Sequence, residues 1–232
     1  MIERATWVAR GLTPPFLWSG ARALFRPARR PEPPAGDVER VAGVERGDDY
    51  YDETFESSSK FRVHYTESPF YVLWVVVADR IRRAGVRSVL DIGCGSGQVA
   101  SMLRDRGLES YCGIDFSRKR IAWARETCPE FRFVRGDFFE VEELRSTEYD
   151  AVVCTEVLEH IDDDLGLLGR IPAGTRVIAS VPNFLGPAHV RAFDSCEEVV
   201  ERYGSLFEGL QVDPIVRSAE GRTHFLLEGV RT

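Results

Sequence analysis

Three glycines at alternate positions, Gly93, Gly95 and Gly97 in VLDIGCGSGQVA, follow a short apolar run and an acid, Asp91. A glycine-rich turn at the end of a strand lets backbone come close to a ligand. The spacing argues against two common ligands. A dinucleotide fingerprint, GxGxxG, needs a glycine where this chain has Gln98, and a phosphate loop, GxxxxGK[ST], needs a lysine that the turn lacks. Two further acids close strand-like runs: Asp115 in YCGIDF, and Asp137, followed by Phe138, in FRFVRGDF. The first is placed to accept hydrogen bonds from a ribose diol. The second suits the exocyclic amine of adenine, with the phenyl ring covering the base. An acid beside the glycine turn suits a ligand portion with positive charge or hydrogen-bond donors. Ribose, adenine and a cationic tail without phosphate together describe S-adenosylmethionine.

A second constellation is EVLEH. Glu156, Glu159 and His160 are related as i, i+3 and i+4, so a helical turn puts them on one face. Such a face can perform acid–base chemistry through His160 and Glu156, or hold a divalent cation through Glu156, Glu159 and His160. The stretch SVPNFLGPAHVRAF follows another strand-like run and should border the acceptor. In it His189 is a candidate base or further metal ligand, and Arg191 a candidate for gripping an acidic or hydroxylated acceptor. Tyr65, Phe70, Tyr71 and Trp74 shape a pocket or pack in the core. Asp162-Asp163-Asp164 reads as a solvated run near a helix start, favoured there by the helix dipole.

These residues need a scaffold, and the hydrophobic pattern supplies one. SPFYVLWVVVADRIRRAG (68–85) has helical periodicity ending at a glycine. Strand-like and helix-like runs then alternate: RSVLDIG and QVASMLRDRG, YCGIDF and SRKRIAWARETC, FRFVRGD and FFEVEEL, YDAVVCTE and VLEHIDDDLGLLGRI, TRVIASVPN and SCEEVVERYG. LQVDPIVRS and THFLLEGVRT, joined by AEGR, form a final hairpin. The expected fold is α/β and doubly wound: a mostly parallel seven-stranded sheet, helices on both faces, and a C-terminal antiparallel hairpin.

In order and spacing, DIGCGSG, GIDFS, RGDFF and VVCTEVLEHI resemble the class I S-adenosylmethionine-dependent methyltransferases, over roughly residues 49 to 232. The resemblance implies that Gly93, Gly95 and Gly97, with Asp91 beside them, line the methionine portion of the donor. It further implies that Asp115 binds the ribose, that Phe116 belongs to the same donor site, and that Asp137 and Phe138 meet the adenine. Thr155 to Val157 then border the transferring methyl, and Tyr51, with Tyr50, lids the donor. ExxEH is similar to a run in ubiquinone-pathway O-methyltransferases and small-RNA 2′-O-methyltransferases, where it accompanies a divalent ion.

At 232 residues the chain has room for one such domain and an appendage. Residues 1–48 read as a basic amphipathic leader and a proline-rich linker, and residues 49–232 as the methyltransferase domain. The net charge is −7, yet residues 1–34 hold six arginines against Glu3 and Glu32, so the remainder is more acidic still. Phosphate neutralisation dominates nucleic-acid affinity, so an acidic body argues against a nucleic-acid partner. The leader suits peripheral contact with an anionic membrane surface, or packing on the domain. Prolines and arginines interrupt its apolar stretches, which excludes a spanning helix. The five cysteines lack CxxC spacing and read as free thiols of a cytoplasmic protein.

The expected activity is methyl transfer from S-adenosylmethionine to a small molecule, on oxygen. The front end LTPPFLWSGARALFR, YYDETF and HYTESPFY resembles that of bacterial surface-glycan enzymes and leans the acceptor towards a sugar. Two alternatives stand: a divalent-metal-dependent RNA 2′-O-methyltransferase, and a non-catalytic S-adenosylmethionine-binding scaffold.

Overall fold

The computed structural model describes residues 43–145 and 148–232. The leader and linker readings over residues 1–42 lie outside them. Among the described residues two α-helices precede the sheet, α1 (Asp48–Ser57) and α2 (Tyr71–Arg83). The alternating part follows as β1 (Ser88–Ile92), α3 (Gln98–Asp105), β2 (Ser110–Asp115), α4 (Arg118–Thr127) and β3 (Arg132–Arg135). After it come β4 (Ala151–Cys154), α5 (Asp164–Gly169), β5 (Arg176–Pro182) and α6 (Cys196–Tyr203). The hairpin of β6 (Phe207–Val216) and β7 (Thr223–Arg231) ends the chain.

The sheet order is β3-β2-β1-β4-β5-β7-β6. The first five strands pair in parallel, while β7 runs antiparallel to both β5 and β6. The strand order reverses between β1 and β4, so the crevice outside their carboxyl ends is where this architecture receives ligands. The strands alternate between two cores. Leu90, Ile114, Val152 and Val177 face α5 and α6, whereas Val89, Tyr111, Val153 and Ile178 face α2, α3 and α4. Both faces are covered, which is why the central strands read as nearly continuous apolar runs. The five cysteines are free, with four of them buried. No helix among the described residues is long and apolar enough to cross a membrane.

Two segments depart from the expected alternation. FFEVEEL is not an α-helix. The Asp137 side chain accepts from Phe139 N, its carbonyl accepts from Glu140 N and Val141 N, and only a 3₁₀ turn, Glu142–Arg145, follows. Residues 155–171 do not form one helix either. Glu156 takes a left-handed φ of 60°, which interrupts helical propagation, and a short 3₁₀ turn, Leu158–His160, precedes α5.

The acidic run that caps α5 divides. Asp163 accepts from Gly166 N at the helix start, as expected of a capping acid. Asp164, expected in solvent, is instead fully buried. Its carboxylate takes Arg202 at 2.5 and 2.8 Å, the Tyr203 hydroxyl at 2.6 Å and Arg191 at 3.2 Å. Three donors thus replace the water that the charge has lost, and they tie α5 to α6. Asp164→Asn should lower stability by about 3 kcal/mol, because it leaves buried guanidinium and phenol groups without their acceptor. Urea denaturation with an unchanged slope checks this, and a loss below about 1 kcal/mol would show the network to be incidental.

Candidate active site

The glycine turn is built by a close approach of two strand ends. Gly93 N and Cys94 N both donate to Ile114 O, at 2.8 and 3.0 Å, which folds the turn back over β2. Gly93 has a φ of 74°, and a Cβ there would lie 2.2 Å from Val157 Cγ2. Gly95 differs: it also has positive φ, but a Cβ would meet nothing within 4 Å. Of these two, Gly93 is therefore required by packing, and Gly95 lies beside open space that a ligand can enter. Gly95 N donates to Asp115 Oδ2 at 3.0 Å and Ser117 N to Oδ1 at 2.8 Å. Burial pushes the Asp115 pKa up, against the opposing pull of Arg120 and these two N–H groups. Asp91 is turned into the core, where its carboxylate accepts from Tyr111 OH at 2.5 Å. Burial, with the Asp115 charge adding to it, raises its pKa to about 7 although the tyrosine opposes the shift.

Beside this floor lies a cavity of about 470 Å³ whose lining includes Glu45, Asp48, Phe116, Asp137 and Phe138. Phe116 is its central ring, 5.8 Å edge-to-face from Phe138 and 5.1 Å from Tyr51. Tyr51 is 5.9 Å from His160 in turn, so this one residue links the cavity to the EVLEH segment. Helix α1 is docked by Asp52, which accepts from Ser117 Oγ at 2.6 Å and Lys119 N at 3.0 Å. Arg120 lies 5.0 Å from the Tyr51 ring centre and 4.4 Å from that of Phe61. Asp137 and Phe138, expected to meet adenine, thus converge on one cavity with Phe116, and Tyr51, expected to lid the donor, is in ring contact with Phe116.

At the other end, Thr155 is buried at the end of β4 and the chain turns sharply at Glu156. That turn separates Glu156 from the face it was expected to share. Its carboxylate pairs with His224 Nε2 at 2.6 Å, from the second residue of β7. Burial works to raise the Glu156 pKa, but His224, Arg217 and His160 outweigh it and hold the acid below its usual range. The group that gathers is Glu159, His160 and His189, each with one potential ligand atom within 4.8 Å of the others'. Glu159 is fully buried and neither of its oxygens has a hydrogen-bond partner. Burial first, and then the Glu156 charge, push its pKa well above the carboxylate range.

The two histidines share a design. His160 Nδ1 lies 2.9 Å from Ala188 O and His189 Nδ1 3.0 Å from Phe184 O, so in each ring Nδ1 carries the proton and Nε2 keeps its lone pair. Burial lowers both pKa values, that of His160 to about 4.

Arg191 does not face an acceptor. It donates to the carbonyls of Leu158, Ile161 and Asp162 and pairs with Asp164, so it clamps the EVLEH segment from the neighbouring loop. Val190 N adds a 2.7 Å bond to Glu159 O. Segment 43–45 straps the same two loops, through Gly43 N to His189 O and Asp162 N to Glu45 Oε2. Among the pocket candidates, Tyr65 and Trp74 are core residues, whereas Phe70 lies 6.2 Å from His224. His224, Arg217, Arg120 and Lys60 were not singled out in the sequence. His224 was accessible in principle: an antiparallel final strand places its first residues opposite the end of β5, as His224 opposite Pro182.

A family described as "Methyltransferase domain" matches residues 90–172. A ubiquinone biosynthesis O-methyltransferase from Dechloromonas aromatica is 33% identical over 155 residues, covering 63% of this chain and 65% of that one. The chain thus spans slightly under two thirds of that relative's length. Magnesium protoporphyrin IX methyltransferase from Synechocystis PCC 6803, solved with bound SAH, superposes with a TM-score of 0.59 at 20% identity. It covers 80% of this chain and 97% of its own. The methyltransferase domain of a bacterial Hen1 gives 0.54 at 18% identity, covering 71% and 100%. The structural likenesses show a shared fold.

The lowered basicity of His160 is directly measurable. Its imidazole should titrate near pH 4 by NMR of ring-labelled histidine, against an ordinary value of 6.5. The contribution to stability is complete above about pH 6.5 and is lost as pH falls towards 4, because the unfolded chain takes up a proton that the folded one refuses. A midpoint at 6 or above would mean that the ring is solvated.

Proposed function

We propose that the chain is a member of the class I S-adenosylmethionine-dependent methyltransferases and that it moves a methyl group from S-adenosylmethionine to a hydroxyl oxygen of a small-molecule acceptor. The family match, the O-methyltransferase relative and the shared fold support this. One observation carries the reading: the groups line up as a path of contacts, with Phe116 of the cavity wall against Tyr51, Tyr51 against His160, and open space at Gly95, whose N–H meets Asp115.

The donor fits the groups along this path. Asp137 accepts from the adenine amine, and Phe116 and Phe138 flank the base. Asp115 has one N–H on each oxygen and a further lone pair on each for the ribose hydroxyls. Gly95 admits the methionine portion without a side chain in the way, and Thr155 to Val157 border the methyl. When bound, S-adenosylmethionine supplies an electrophilic methyl on a sulfonium. What the protein adds is mainly alignment, since in-line displacement gains most from holding nucleophile and electrophile at near-attack distance. His160 adds a neutral Nε2 that accepts the acceptor's hydroxyl proton. Its Nδ1 bond to Ala188 O fixes the tautomer that leaves this nitrogen free.

A divalent cation is the second reading, favoured by the unpartnered Glu159 carboxylate. Glu159, His160 and His189 would hold it, through one carboxylate and two imidazoles with free Nε2, a donor set suited to a borderline transition metal. The ion would lower the pKa of the acceptor hydroxyl. Glu156, engaged with His224, falls outside this set.

The front-end motifs support a sugar-type hydroxyl as acceptor, and the arginine-rich leader supports peripheral contact with an anionic membrane surface. A chain lacking residues 1–36 should lose retention on anionic vesicles while keeping donor affinity. Equal retention would remove the leader from that role.

Calorimetry tests the central reading. The intact chain should bind S-adenosylhomocysteine, and Asp115→Ala should weaken binding at least about tenfold by removing the ribose acceptor. A folded protein that ignores the ligand at millimolar concentration would overturn the assignment. In parallel, Mn²⁺ titrated into chelator-treated protein should bind once per chain and fail with Glu159→Gln. Absence of Mn²⁺ binding by the wild type would leave His160 as the proton acceptor.

A further inference from the structure

Lys60, Arg120 and Arg217 come from three separate parts of the chain and gather around the end of β4. Lys60 and Arg120 share one aromatic ring: the ammonium is 4.7 Å from the centre of Phe61 and the guanidinium 4.4 Å. Loop 59–63 is held in place for this by Ser96 Oγ, which donates to Phe61 O, and by Gln98 Nε2, which donates to Lys60 O and Val63 O. Arg217, just beyond β6, lies 4.3 Å over the Phe70 ring, with Nη1 3.1 Å from both ring nitrogens of His224. His224 in turn holds Glu156. On the outer side Arg222 lies 5.2 Å over Phe184, whose ring is 5.4 Å from His224.

Arg120 and Arg217, both partly buried, lack what other lodged arginines have, and Lys60 and Arg222 stand exposed beside them. Arg80, Arg191 and Arg202 each meet a carboxylate within 3.2 Å. Among the described residues, Lys60, Arg120, Arg217 and Arg222 have none within the 4 Å of an ion pair. The Nε atoms of Arg120 and Arg217 are buried and without any hydrogen-bond partner. Lys60 and Arg217 stand close enough to feel one another's charge, and the carboxylate both of them feel, Glu156, is already engaged by His224. Holding like charges together at a partly desolvated edge is unfavourable unless an anion completes the set. The body of the chain is acidic, so chance clustering of unpaired cations here is not a by-product of composition.

The donor accounts for at most one of them. Its methionine end carries a carboxylate, and Arg120, nearest Asp115 and Tyr51, is the cation on the donor side. Lys60 and Arg217, with Arg222 outside them, are left with no group of the donor to meet, on the side of Glu156 and Phe70.

We propose that the methyl acceptor is a small anion, whose carboxylate or phosphate group is gripped by Lys60 and the Arg217 fork while its hydroxyl faces His160. This rests on the methyltransferase reading and narrows it. An arginine fork matches the paired oxygens of either group, and the ammonium adds a movable point charge at the rim. Phe70 and Phe184 give the grip apolar walls that strengthen the electrostatics. An acidic or phosphorylated sugar belongs to the class. An uncharged polyol does not.

The test uses the full chain, first saturated with S-adenosylhomocysteine so that the donor side is filled. Three probes are then titrated at low ionic strength: inorganic phosphate, benzoate, and benzamide as a neutral match for benzoate. Saturable binding of phosphate or benzoate in the millimolar range is expected, with benzamide at least about tenfold weaker. Whichever anion binds more tightly identifies the group as phosphate or carboxylate. Arg217→Gln and the rim variant Lys60→Gln should each weaken that anion at least about fivefold, with S-adenosylhomocysteine affinity, measured in the same samples, retained. Donor binding without anion binding, or anion binding that survives both substitutions, overturns the acceptor assignment alone. Failure of the wild type to bind S-adenosylhomocysteine overturns the methyltransferase reading, and the acceptor assignment falls with it.

Discussion

The contact between Gly93 and Val157 is the constraint on which the site depends. The ends of β1 and β4 meet there so closely that even a methyl on residue 93 would overlap the valine. Strands on either side of a topological switch point send their helices to opposite faces, and a crevice opens between them. Here the crevice is pinched at one point, and the pinch orders its two sides. The glycine turn is folded back onto Ile114 O, bringing Gly95 N to Asp115. On the far side the chain leaves β4 through a left-handed residue, Glu156, whose strain is tolerated because Ser180 Oγ receives its N–H and His224 its carboxylate. One steric contact thereby joins the floor proposed for the donor to the segment proposed to do the chemistry.

Around that pinch the polar groups fall into two electrostatic regimes. Asp164, buried with two arginines and a tyrosine, is a satisfied charge, and it serves rigidity. Glu159 is buried as deeply, has no partner, and faces two imidazoles whose other nitrogens are tied to carbonyls. A fold can place both within six residues of one another because Arg191 serves each, pairing with Asp164 while clamping the carbonyls on either side of His160. The satisfied site therefore supports the unsatisfied one, as preorganised sites require.

The sheet was legible because its information is local. Apolar runs of strand length mark all five parallel strands, the first four closed by a glycine or an acid and the fifth by Pro182-Asn183, and the hairpin shows as two strand-like runs separated by AEGR. Asp115, Asp137, Phe116 and Phe138 were legible for the same reason, since a residue at a strand's end is placed by that strand. EVLEH was legible in composition but not in geometry. Its i, i+3, i+4 spacing implies a shared face only if the segment is helical, and the helix is broken by a partner 68 positions later, His224. Asp164 and Arg191 misled in the same way. A charged residue in an acidic run or a loop reads as solvated or ligand-facing, and the donors that bury it come from elements that no local pattern connects.

The direction of β7 has a consequence of another kind. Since it runs against β5, its beginning, not its end, lies beside the carboxyl end of β5, and the turn before it is tied to Asn183 there. The matched family stretch, residues 90–172, holds the glycine turn, Asp115, Asp137 and EVLEH, whereas Lys60, Phe184, Arg217 and His224 all lie outside it. The two halves of the crevice are thus written in separate stretches of the gene. Insertions or point changes in the hairpin turn can redraw the outer wall without disturbing the inherited inner one, so a lineage with this fold can diversify its chemistry by editing the last few dozen codons.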